Sequence, residues 1–142
     1  MRTALEKNPD RNVHGIACFT LAGVLRDYGR MAEALKEPTK GKLLEQGFPR
    51  DIVKKLKASN PDKLRKEAED LYQRALEKYG DVKLYAGGVP LQELVEATLF
   101  EMRHLQIGKR APEIQGEDIN GTKLKLSDYK GKVVVLDFWG HW

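Results

Sequence analysis

With 142 residues, the chain is long enough for one ordinary domain, or for a helical domain joined to part of a second. Its 25 basic and 21 acidic residues are mixed along the chain, and the densest basic stretch, Lys54, Lys55, Lys57, Lys63, Arg65 and Lys66, lacks the interleaved aromatics that nucleic-acid binding asks for. No apolar run is long enough for a membrane segment and no export signal pattern opens the chain, while the single cysteine, Cys18, excludes an intramolecular disulfide and a multi-cysteine metal site.

Residues 8 to about 36 read as one long helix or two collinear ones. Asn8 offers a cap and Pro9 suits the first helical position. Val13, Ile16, Ala17, Thr20, Val24, Leu25, Tyr28, Ala32 and Leu35 keep three-and-four spacing on one face. Gly29 marks a kink or break, and "EPTKG" stops the helix. Short helical segments follow near 41 to 46 and 50 to 58. Asn60 and Pro61 repeat the cap-then-proline signal for a second long helix, with Leu64, Ala68, Leu71, Tyr72, Ala75, Leu76 and Tyr79 inward and Gly80 at its end. "DVKLYAGGVP" is a loop turning at Gly87 and Gly88, too short for a phosphate loop. Pro90 then introduces a third helix to about His104, with Leu91, Leu94, Val95, Thr98, Leu99 and Met102 inward.

The texture changes after Leu105. Residues 107–142 are rich in glycine and β-branched side chains, and Asn120-Gly121 lies between two short alternating runs. That pair predicts a hairpin near 113 to 126 with a type I′ turn. Ser127 to Gly131 reverses the chain. Val133 to Trp139 has one polar residue, Asp137, and reads as a strand covered on both faces. The expected fold is therefore mainly α: an all-helical domain over 1–106, weakly similar to a tetratricopeptide hairpin, then a β-hairpin and one strand over 107–142.

The C-terminal motifs occur in a specific combination: Gly108 to Pro112 (G-x-x-A-P), Asp118 to Gly121 (D-x-x-G), Leu126 to Lys132 (L-S-D-Y-K-G-K), and Phe138, Trp139, Gly140, His141, Trp142. Together they resemble the opening of a thioredoxin-like domain of the TlpA/ResA and redoxin kind, whose members are extracytoplasmic thiol-disulfide oxidoreductases. The resemblance implies a Cys-x-x-Cys dithiol one residue after Trp142. In that setting a helix N-terminus stabilises the attacking thiolate, and Asp137 matches a buried carboxylate that exchanges a proton with the resolving cysteine. By spacing alone, Asp137 reads equally well as a strand-end carboxylate bonded to a turn. Trp139, Gly140, His141 and Trp142 match the residues flanking the motif.

Because the chain itself carries no cysteine pair, no dithiol turnover is expected of it. The alternative is a non-enzymatic helical interaction domain whose 133–139 strand pairs with a protein partner or with a second copy. Cys18, on the apolar side of its helix, reads as a buried structural thiol. His14, His104 and His141 are too scattered for a metal site, and no cofactor is expected.

Overall fold

A computed structural model describes residues 2–140. It divides into two compact units, Met1–Arg103 and His104–Trp142. The helices are α1 (Arg2–Lys7), α2 (Arg11–Ala34), α3 (Pro38–Gly47), α4 (Arg50–Ala58), α5 (Pro61–Tyr79) and α6 (Leu91–His104), and the strands are β1 (Gln115–Glu117) and β2 (Lys123–Lys125). The mainly α class holds.

Local chemistry sets the helix starts. Asn60 caps α5 as expected, its Oδ1 accepting from the Lys63 amide at 3.1 Å, with Pro61 at the first position. The start of α2 falls two residues later than expected. Residues 2–7 form a helix of their own, and the Asn8 amide still donates to the Ala4 carbonyl. Asp10 takes over as the cap, accepting from the Asn12 and Val13 amides at 2.7 and 3.2 Å. "EPTKG" likewise begins a helix rather than only ending one, because Pro38 occupies the first turn of α3, where its missing N–H costs nothing.

The core is organised around the α2–α5 pair. On α2 the buried residues Gly15, Cys18, Ala22, Leu25, Gly29 and Ala32 alternate spacings of three and four. On α5, Ala68, Tyr72, Ala75 and Tyr79 do the same. The expected α2 face was drawn through larger residues and is rotated from the true one, for Thr20 and Tyr28 are exposed. Small residues win because they let the two backbones approach. Gly29 shows this clearly: α2 runs through it unbroken, and a Cβ there would lie 3.3 Å from the Pro61 carbonyl oxygen. At Gly15 a Cβ would come within 2.9 Å of Tyr79 Cβ.

Around this seam, Phe19 packs edge-on to Tyr72 at 5.7 Å between ring centroids. α6 adds Leu91, Val95, Leu99 and Met102 to the same core. Leu91 and Val95 are fully buried, which stabilises the fold by roughly 1.5–3 kcal/mol for each side chain. The loop into α6 is pinned by the Leu91 amide on the Val82 carbonyl at 2.8 Å and by the Gln92 amide on the Gly80 carbonyl at 2.9 Å. Its turn uses Gly87 at φ +80°, as the Gly-Gly pair anticipated. At the other end of the pair, the Arg11 guanidinium holds Asp81 through two hydrogen bonds of 2.6 and 2.9 Å and lies over the Tyr79 ring.

Candidate functional site

The C-terminal unit is built on its hairpin. Gln115 faces Lys125, Gly116 faces Leu124 and Glu117 faces Lys123 in antiparallel register. Alternation along the strands then puts Leu124 on the same face as Ile114 and Leu126, and the charged residues on the other. The Leu126 amide closes the pair on the Ile114 carbonyl at 2.9 Å.

The turn differs from the expected type I′. Only Gly121, at φ +79°, takes the left-handed region, and Asn120 does not. The Asp118 and Thr122 backbones pair at 3.0 Å around a three-residue loop, a type I turn with glycine at its bulge position. The Asp118 carboxylate selects this form by accepting from the Asn120 and Thr122 amides at 2.8 and 2.9 Å. Those amide bonds hold the Asp118 carboxyl below its ordinary pKa.

A second carboxylate anchors the far end of the hairpin. Glu113 Oε1 accepts from the Ser127 amide at 3.0 Å at the start of a 3₁₀ turn over Leu126–Tyr129. Hydrogen bonding from the Ser127 side chain, and then from its amide, holds the Glu113 carboxyl below its usual value. Neither role was assigned to Glu113 or Asp118 from sequence, although the D-x-x-G spacing carried the signal for Asp118.

The expected strand over 133–139 is not formed. Among the described residues, no backbone hydrogen bond is made by residues 133–140. A run of this kind needs a neighbouring strand on its edge and a layer on each face, and among the described residues no strand pairs with it. Its exposure alternates all the same: Val133 and Val135 are 97% and 87% exposed, Val134 and Leu136 only 40% and 49%. The two half-covered side chains join Ile114, Leu124, Leu126 and Tyr129 around an apolar cleft of about 210 Å³.

Asp137 is exposed, whereas the resemblance implies a buried setting for it. Trp139 is 83% exposed and Gly140 is exposed. The expectations for His141 and Trp142 lie outside the described residues. The arrangement therefore supplies a prepared hairpin face and an apolar run that it covers on one side, with no cysteine among residues 104–142. Cys18, the one cysteine, belongs to the helical unit and is fully buried. Burial pushes its thiol up, and Arg74 and Lys78 oppose this only in part. Among the described residues no group of three or more His, Cys, Asp or Glu could hold a metal ion. None of the described helices is long and apolar enough to cross a membrane.

Within this unit, residues 107–142 match the AhpC/TSA family. The C-terminal segment is redoxin-like. The chain is similar to the thiol-disulfide oxidoreductase ResA of Bacillus thuringiensis (strain Al Hakam), with 43% identity over 49 residues, 34% of this chain and 28% of the relative. It is similar to ResA of Bacillus subtilis (strain 168) at 54% over 35 residues, 25% of this chain and 20% of the relative. For ResA of Geobacillus kaustophilus (strain HTA426) the identity is 43% over 42 residues, 30% of this chain and 24% of the relative. The chain thus spans about a quarter of the length of these relatives. No solved structure matches the chain.

Proposed function

We propose that residues 107–142 are the opening of a thioredoxin-like thiol-disulfide oxidoreductase domain, and that the helical unit over 1–106 serves it as a partner-binding or spacing module. The observation that carries this reading is the redoxin match over residues 107–142, supported by a hairpin face already lined against Val134 and Leu136. In this reading Val133 to Trp139 becomes a strand once a neighbouring strand covers its edge. Asp137 is then buried beside the dithiol and exchanges a proton with the resolving cysteine, while Trp139, Gly140, His141 and Trp142 flank the motif. An extracytoplasmic location belongs to the same reading and rests on the resemblance alone.

With Cys18 as its one thiol, the chain by itself has no two-thiol cycle. Reduction of insulin disulfides by the chain is expected to stay at background, and turnover abolished by Cys18→Ser would overturn this. Sequencing the native gene past Trp142 tests the parent activity: Cys-x-x-Cys directly after Trp142 is the expected result, and a stop codon there would sink it.

A second reading is favoured by the uncovered run itself. Val133, Val135 and Phe138 are almost fully exposed, and an apolar segment with unpaired backbone is a template for strand addition by a protein partner or a second copy. Light scattering across a concentration series discriminates: association lost on Val135→Lys supports this reading, and a monomer at every concentration removes self-association.

A further inference from the structure

The basic excess of the chain is concentrated in one part of the helical unit. Residues 36–66, which hold α3 and α4, carry ten lysines and arginines against four carboxylates, whereas the rest of the chain has fifteen against seventeen. Residues 67–103 carry four basic against eight acidic side chains, while 1–35 and 104–142 are each within one charge of balance.

The fold leaves much of that charge open. α4 turns Val53 and Leu56 inward and leaves Arg50, Lys54 and Lys55 exposed, with Lys54 and Lys55 on the two flanks away from that buried row. Lys57 spans to Glu45 on α3 at 2.6 Å, and Lys42 lies one turn before Glu45 on the same side of α3. Lys36, Lys40, Arg65 and Lys66 are each paired with a nearby carboxylate on their own stretch of chain. Among the described residues, Lys42, Arg50, Lys54, Lys55 and Lys63 are exposed with no carboxylate partner. Within the same pair, Leu43 is 72% exposed and Phe48, at the turn between α3 and α4, is 41% exposed.

We infer that the α3–α4 pair is a peripheral docking surface for an anionic lipid membrane. Eight of the ten cations are lysines, compact point charges on flexible stems that suit a diffuse layer of lipid phosphates better than the fork of arginine suits a single paired carboxylate. Leu43 and Phe48 supply apolar groups that can enter the boundary between headgroups and acyl chains, while the lysine stems lie along it. Single-stranded nucleic acid would ask for successive aromatic platforms, and α3 and α4 carry Phe48 alone.

The test is co-sedimentation of the full chain with vesicles of phosphatidylglycerol and phosphatidylcholine, beside vesicles of phosphatidylcholine alone. Binding is expected only to the anionic vesicles, falling as salt shortens the reach of the charges. The triple variant Lys42→Gln, Lys54→Gln, Lys55→Gln should lose about a hundredfold in affinity at low salt, with helicity by circular dichroism unchanged. Lys123→Gln, Lys125→Gln, Lys130→Gln removes the same charge from the C-terminal unit and should bind nearly as the parent does. Leu43→Ser with Phe48→Ser keeps every charge and should weaken binding several-fold. Equal binding to neutral vesicles, equal loss in the two triple variants, or an RNA homopolymer that binds more tightly than the vesicles and displaces them would each overturn the inference.

Discussion

The two units are held by different means. In the helical unit, order comes from side chains far apart in sequence meeting in a common core: Cys18 and Leu25 with Ala68 and Tyr72, and those with Leu91 and Val95. In the redoxin-like unit no described residue is buried, and order comes from backbone hydrogen bonds, two carboxylates aimed at amides, and glycines in left-handed turns. The first is stable through burial; the second is shaped without yet being covered. A segment can therefore have well-defined geometry while its apolar residues stay largely exposed.

The largest effect expected of this contrast is in the helical core. Leu91→Ala should destabilise the helical unit by about 2–5 kcal/mol, read as a lower denaturant midpoint, whereas Val135→Ala should move it by less than about 0.5 kcal/mol. Similar costs at the two positions would break the comparison. Next comes the close seam: Gly15→Ala forces a methyl against Tyr79 and should cost about 1–3 kcal/mol, while Gly116→Ala, with open space around it, should have little effect on the helical unit.

Chemical access gives a third test. Cys18 should resist alkylation by iodoacetamide in the native chain and react fully after unfolding in guanidinium, since its buried thiol is both shielded and pushed toward the protonated form. Rapid native labelling would show that the α2–α5 seam opens readily.

The smallest effect is confined to the hairpin. Asp118 and Glu113 both have carboxyls held below their ordinary values, so they bind fewer protons folded than unfolded. Their support is fully present above the ordinary carboxyl range and is lost as pH falls below it, through the lowered folded values. The amide resonances of Asn120, Thr122 and Ser127 should titrate together in that window while those of Val95 and Leu99 stay still. Asp118→Asn should remove the pH dependence at Asn120 and Thr122 only.

What could be read in advance divides along the same line. Proline and asparagine placed α5, and Pro90 placed α6, because a cap and a missing N–H act within a few residues of themselves. The α2 face was misjudged because Gly15, Ala22 and Gly29 look like weak core residues in isolation; their value depends on Tyr79 and Pro61, which lie far along the sequence. The hairpin was visible in Asn120-Gly121, but its turn type was decided by Asp118, whose carboxylate competes for the same amides. Val133 to Trp139 carried a genuine burial signal, and its strand is missing because a β-ladder is a property of two segments. Candidate site residues on that run therefore remain proposals about a covered state.

The Glu113 carboxylate on the Ser127 amide spans only fourteen residues, and the turn at Asp118 spans four. Loops of that size close within about 0.1 μs and hairpins within about 10 μs, well before segments distant in sequence can find one another. The redoxin-like unit is thus a fast local scaffold. Its cleft can be laid out as soon as these residues emerge from the ribosome, because the hairpin and turn that line it are held by contacts close in sequence.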